Sequence, residues 1–267
     1  MLQRTITGVL SAAAVVVILL VRGWLSNIVV AALMAGGMWE MYAAFRHAGH
    51  KPVVWPGMVA ALLMLPGYAW KNVVIVAPML VLATMLVVLV VCARKEPAWI
   101  DAGISLYPIY TIFLPLALLL HLFSASVQPQ GVQLIILVLI IAFVGDTMAY
   151  FVGVLCGKHK LCPQVSPKKT VEGAIAGLVG SMAGAAIYLW QMRVHGYTLP
   201  GAAGGLLLGL LGGMAGQIGD LSASLVKRHC GIKDFGSIFP GHGGIMDRID
   251  SMLFTLMVVC SYVLIWL

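Results

Sequence analysis

Apolar runs long enough to cross a bilayer recur along the whole chain, separated by short polar stretches. A crossing takes roughly 20 residues. On that measure nine helices are expected, at 6–21, 25–45, 53–70, 73–92, 103–123, 132–155, 172–192, 201–227 and 245–267. The gaps between them leave no room for a soluble domain. The pattern therefore predicts an all-α, polytopic membrane protein, since lipid tolerates a spanning chain only where the backbone bonds to itself. The first run follows Arg4 in the manner of a signal peptide. Val21-Arg22-Gly23-Trp24 provides no small-x-small cleavage site, so this run is expected to stay as a helix.

Composition excludes an ordinary soluble domain: mean hydropathy is +1.03, with 61% hydrophobic and 9% charged residues. The formal net charge of +7 serves as an orientation signal. With nine spans, 13 basic residues share one side: Arg4, Arg46, Lys51, Arg94, Lys95, Lys158, Lys160, Lys168, Lys169, Lys227, Arg228, Lys233 and Arg248. Only Arg22, Lys71 and Arg193 share the other. The basic side is expected to face the cytoplasm, with the N-terminus there and the C-terminus opposite. Anionic membrane lipid is the natural partner for that charge. Nucleic acid is not, because no basic domain stands clear of the membrane. The five cysteines form no CxxC pair, and neither a disulfide nor a zinc site is expected.

Acidic residues are unevenly distributed. Residues 1–130 hold Glu40, Glu96 and Asp101, and residues 131–267 hold Asp146, Glu172, Asp220, Asp234, Asp247 and Asp250. The expected organisation is a scaffold of membrane helices at 1–130 and a catalytic membrane domain with a polar cavity at 131–267. Within the second part, Gly201, Gly205, Gly209 and Gly213 recur at intervals of four, and Gly212, Gly216 and Asp220 form a second row. The helix 172–192 has a similar row at Gly173, Gly177, Gly180 and Gly184. Small-xxx-small faces let helices approach closely in lipid. Packing is the plain reading, and it would also hold Asp220 against a neighbour.

The densest charge lies between Ser224 and Asp250, where three acids, four Lys/Arg and two His alternate among glycines. Charge beside a bilayer is costly and marks function. Asp220, Ser224, Lys227 and Arg228 stand at i, i+4, i+7 and i+8, on one helical face. Asp220 lies about 12 Å inside Lys227 and Arg228 at the helical rise. It is either a structural ion-pair partner or a cavity carboxylate. Asp247 and Asp250, at i and i+3, either complement a helix dipole or join Asp220. Gly243 and Gly244 precede them, and glycine lets a backbone approach a phosphate closely. Asp146 lies about 15 Å from the basic end of its helix, the deepest charge in the chain. Lys168 and Lys169, between Ser166 and Thr170 at a helix start, are either positive-inside markers or polyphosphate ligands. His242 is placed to bind phosphate or pass a proton.

The stretch Ser224, Lys227-Arg228, Lys233-Asp234, His242-Gly243-Gly244 and Asp247-Arg248-Ile249-Asp250 resembles the signature of the phosphatidate cytidylyltransferase family. Gly145-Asp146-Thr147-Met148-Ala149-Tyr150 and Ser166-Pro167-Lys168-Lys169-Thr170-Val171-Glu172-Gly173 are similar to two further family blocks, with Met148 where the family usually has Gly. The resemblance covers residues 140–255; before residue 130 only the hydrophobic pattern matches. It implies the reaction of CTP with phosphatidic acid to give CDP-diacylglycerol and diphosphate. It also implies a divalent metal, taken as Mg2+, a homodimer and a bacterial inner membrane with the site facing the cytoplasm. By the resemblance, Asp220 and Asp247 hold the metal, and Lys227, Arg228, Lys233 and Arg248 hold phosphates. Lys168 and Lys169 take the triphosphate or the lipid phosphate, with Ser166, Ser224, Gly243 and Gly244 beside them. Asp146, Asp234 and Asp250 support the metal or orient the cations. The remaining carboxylates leave room for a second cation, K+ among the candidates. Two rival functions stand beside this one: a CTP-dependent polyprenol or lipid kinase, and an ion-coupled transporter built on Asp146 and Asp220.

Overall fold

The computed structural model of the chain describes residues 24–64, 73–123, 127, 130–238 and 243–266. The expected helix 6–21 lies outside them, as do residues 65–70 of the expected helix 53–70. The other apolar runs are helical: α1 (Trp24–His47), α2 (Trp55–Leu63), α3 (Val76–Cys92, after a 3-10 turn at Val73–Ile75), α4 (Trp99–Pro108), α5 (Leu114–Leu122), α6 (Gln130–Cys156), α7 (Val171–Val194), α8 (Ala202–His229) and α9 (Met246–Trp266). Among the described residues, six helices are long and apolar enough to cross a membrane: α1, the continuous α4–α5 rod, α6, α7, α8 and α9. The helix α3 is shorter, at 17 residues. The chain is a nearly all-α, polytopic membrane protein.

Three helices stop as their glycines dictate. After α1, Gly49 takes φ 85° and the His50 N–H reaches Phe45 O at 3.1 Å. After α7, Gly196 takes φ 87° and the Tyr197 N–H reaches Met192 O at 3.1 Å. After α8, Gly231 takes φ 65° and the Ile232 N–H reaches Lys227 O at 3.0 Å. Each is a left-handed glycine closing the last turn and satisfying carbonyls that the helix leaves open.

Two elements depart from the expected pattern. The rod expected at 103–123 begins at Trp99 and contains a π-helical turn at Ile109–Phe113 between α4 and α5. Pro108 and Pro115 flank that turn, and each lacks the N–H a regular helix would use, so the hydrogen-bond ladder is reset there. The segment after α6 is not a bare loop. It forms an antiparallel hairpin of β1 (Lys160–Cys162) and β2 (Ser166–Thr170), with Lys160 opposite Thr170 and Cys162 opposite Ser166.

The described residues fall into two compact units, one within 1–126 and 227–249, the other within 127–226 and 250–267. In the first, Met34, Met38, Met41 and Tyr42 of α1 are fully buried, as are Ile109, Ile112 and Phe113 of the π turn. Close packing, not escape from water, holds such a core in lipid. A polar knot pins the turn after α1: Asp101 accepts from the Lys51 N–H at 3.0 Å and pairs with Arg94 at 2.8 Å. Ser105 accepts from the Val53 N–H at 2.7 Å, and Tyr42 donates to Ser105 O at 2.9 Å.

In the second unit the glycine rows are contact faces. A Cβ on Gly209 would lie 2.6 Å from Ser181 O and from Met182 Cα, against the α7 backbone. Ser181 in turn donates to Ile141 O of α6 at 2.8 Å. Met148 lies over Gly180, which supplies the room for the larger side chain.

Candidate active site

Helix α8 runs unbroken to His229, so Asp220, Ser224 and Lys227 keep the single face that their spacing requires. The partner of Asp220 comes from elsewhere. Strand β2 delivers Lys169, whose Nζ stands 2.6 Å from Asp220 Oδ2, with both side chains about one-third exposed or less. Ser224 Oγ lies 3.5 Å from Asp220 Oδ1. Asp146 of α6 is within electrostatic reach of both Asp220 and Lys169. It lines a recess of about 270 Å³, counted with its open mouth, together with Gly145, Ser181, Gly216, Gln217 and Thr255. Gly216 lets α8 pass close to α9 at the wall of this recess, because a Cβ there would meet Thr255 Oγ1 at 2.8 Å. Gln217 is held by its amide, which donates to Ala174 O at 2.9 Å.

The hairpin that carries Lys169 is tied down at its base. Thr170, in extended conformation, accepts from the Gly173 N–H at 3.1 Å and so caps α7. Glu172, in the first turn of the helix, accepts from His159 Nδ1 at 2.7 Å and from the Lys158 N–H at 3.2 Å. Of the expected phosphate ligands on this hairpin, Lys169 is engaged, Lys168 is exposed and Ser166 is half-buried at the strand start.

In the first unit the second predicted carboxylate is a buried organiser. Asp247, whose side chain is 5% exposed, accepts from Lys227 Nζ at 3.0 Å through Oδ1. Its Oδ2 accepts from the Phe235 N–H at 2.8 Å and the Gly244 N–H at 2.9 Å. Lys227 also lies over the Phe235 ring, 5.4 Å from its centroid. Gly243 takes φ 81°, and a Cβ there would meet Asp247 Oδ2 at 2.7 Å, so only glycine suits the position. The Gly244, Ile245 and Met246 N–H groups are all given to carboxylates, the last two to Glu40. Lys233, Asp234, Arg228 and Arg248 are exposed around this loop. Asp250 belongs to the other unit, where its Oδ1 accepts from the Ser251 N–H at 2.8 Å. His242 lies outside the described residues.

Two residues join these clusters without having been singled out in the sequence. Glu40 was a lone acid in an apolar span, and that isolation was the available signal. Gln217 stands one turn before Asp220, which places it on the same side of α8.

Among the described residues no group of three or more His, Cys, Asp or Glu side chains gathers to hold a metal. The donor chemistry nevertheless suits a hard cation. Mg2+ is commonly bound through one or two carboxylates, with phosphate oxygens and water completing its shell. Asp220, with Asp146 beside it, fits that requirement inside one unit. Asp247 has both oxygens occupied and is closed to a cation while Lys227 remains in place.

Lysines set beside carboxylates in a polytopic membrane fold suit anionic groups such as phosphates. The chain belongs to the cytidylyltransferase family, whose model matches residues 2–266, and it is therefore a nucleotidyltransferase. It is similar to the phosphatidate cytidylyltransferase of Staphylococcus aureus (strain COL), at 34% identity over 209 residues, 75% of this chain and 76% of the relative. The enzyme of the same name from Staphylococcus saprophyticus is 33% identical over the same shares, and that from Staphylococcus haemolyticus is 31% identical over 77% of this chain and 76% of its own.

Proposed function

We propose that the chain joins CTP to phosphatidic acid, forming CDP-diacylglycerol and releasing diphosphate. The observation that carries this reading is the Lys169–Asp220 pair beside Asp146: a cation and two carboxylates brought together by a helix and a tied hairpin. The printed names of the relatives support the choice of lipid.

An oxygen of the lipid phosphate attacks the α-phosphorus of CTP in line. The bond from that phosphorus to the β-bridging oxygen breaks, and diphosphate leaves with the electron pair. Both reactants are anions, so the site must neutralise charge more than move protons. Lys168 and Lys169 hold the triphosphate or the lipid phosphate, with Ser166 and Ser224 as hydroxyl donors. Lys227, Arg228, Lys233 and Arg248 hold further phosphate oxygens; Asp146, Asp234 and Asp250 orient the cations. His242 binds phosphate or carries a proton. Asp220, with Asp146 beside it, is the carboxylate proposed for Mg2+, which when bound would supply further charge neutralisation at phosphate oxygens; Asp247 holds Lys227 in place, and K+ is proposed as a second cation. The protein works as a homodimer in a bacterial inner membrane, with its site facing the cytoplasm.

The test is incubation of the purified protein with CTP, Mg2+ and phosphatidic acid. CDP-lipid and diphosphate in equal amounts are expected. Release of CDP with a newly phosphorylated lipid would identify a lipid kinase instead, and ion-driven solute counterflow without CDP-lipid would identify a transporter.

A further inference from the structure

Glu40 lies within the apolar helix α1, 5% exposed, yet among the described residues no Lys, Arg or His forms an ion pair with it. Its two oxygens are spent on one place. Oε1 accepts from the Ile245 N–H at 3.0 Å, and Oε2 accepts from the Met246 N–H at 2.9 Å. These N–H groups open helix α9, where an anion is favoured by the dipole and by donors the helix itself cannot use. The neighbourhood is shaped for this grip. A Cβ on Gly36, one turn before Glu40, would collide with the Ile245 side chain. A Cβ on Gly236 or Gly244 would collide with the Glu40 carboxylate. The loop is thus glycine-lined where it passes the acid from both sides. The next residue in line is Asp247, which Lys227 and two further N–H groups hold from the other face.

We infer that Glu40 is a positioning residue for nucleotidyl transfer: it fixes the start of α9 so that Asp247 and Lys227 keep their geometry. It touches no substrate and acts through the loop. A purely apolar residue at position 40 would leave two buried N–H groups unsatisfied, at a cost that would loosen the turn. A carboxylate takes both at once, which a glutamine of the same shape cannot, because one end of its amide is itself a donor. The role in catalysis rests on the proposed cytidylyl transfer; the grip on α9 does not.

The experiment compares wild type with Glu40→Gln in the full-length protein. Turnover of CTP and phosphatidic acid is expected to fall about tenfold or more in kcat, with KM for CTP changed by less than about threefold. Membrane insertion is expected to persist with a modest fall in Tm, because one buried N–H then faces an amide donor, and amide exchange at Ile245 and Met246 is expected to accelerate. Gly236→Ala, which presses on the same carboxylate from the loop, is expected to give the same pattern. If Glu40→Gln does not insert, Gly236→Ala alone decides. In the double mutant Glu40→Ala/Gly236→Ala the loss should not exceed that of Glu40→Ala, because the Cβ then has room. Wild-type kcat in Glu40→Gln, or a kcat loss with unchanged exchange at Ile245 and Met246, overturns the inference, as does an additive loss in the double mutant. Absence of CDP-lipid with the wild-type protein instead overturns the proposed reaction, and the exchange measurement still reports whether Glu40 holds α9.

Discussion

Lys169 Nζ stands 2.6 Å from Asp220 Oδ2, while the neighbouring Lys168 on the same strand is exposed. Adjacent residues on a strand point to opposite faces, so this hairpin can offer one lysine to the carboxylate and only one. The two lysines should therefore be functionally unequal.

Lys169→Gln is expected to lower kcat/KM for CTP by about tenfold or more, and Lys168→Gln, whose ammonium is more exposed, by a smaller factor of about three to ten. Initial rates at varied CTP and phosphatidic acid, with each variant at matched expression, provide the check. Equal and small effects would mean that both lysines only mark topology.

Asp220→Asn should reduce turnover by orders of magnitude and flatten its dependence on Mg2+, whereas Asp247→Asn should reduce turnover through Lys227 and leave the Mg2+ dependence near wild type. They should differ in stability. Asp247 is buried against Lys227 and two backbone N–H groups, so Asn there leaves donors facing donors, at a cost of about 1–3 kcal/mol. Asp220 is more open and its replacement should leave Tm nearly unchanged. Thermal unfolding in one detergent, beside CDP-lipid formation against Mg2+ concentration, separates the two roles. A near-normal Mg2+ curve in Asp220→Asn removes that residue from the proposed metal site.

Glycines divide into those that a side chain would obstruct and those that it would not. Gly209→Leu would drive atoms into the α7 backbone and is expected to destabilise by about 1–3 kcal/mol or more. Gly103 in α4 has nothing within 4 Å of its would-be Cβ. Gly103→Ala should stabilise by up to about 1 kcal/mol through helix propensity. Paired Tm measurements test both directions at once.

From the distribution of basic residues, 13 on one side of the expected topology and three on the other, the N-terminus is expected in the cytoplasm and the C-terminus across the membrane. Compartment-specific reporters fused to each end should give opposite readings. Matching readings would require an even number of spans.

The long helices and the glycine contact rows were legible in the sequence, because each follows from local periodicity. The glycine stops and the π turn were not foreseen: Gly49, Gly196 and Gly231 stand outside any periodic row, and Pro108 and Pro115 lie in an apolar run that reads as one helix. The β hairpin left no trace: Ser166–Thr170 is short and free of apolar alternation. The identity of ion-pair partners was also hidden. Asp220 could be placed beside Lys227 and Arg228 on its own helix, but it pairs with Lys169, and Lys227 pairs with Asp247. The contact from Glu40 to Met246 crosses 206 positions of sequence, and no local rule reaches that far.

The Lys227–Asp247 pair also acts as a clasp. The two charges sit at the facing ends of consecutive helices, α8 and α9, and among the described residues each forms its ion pair with the other. The chain between them is thereby closed into a loop whose ends no longer diffuse apart, so part of the entropy that a ligand would otherwise have to remove from that loop is already gone before the ligand arrives.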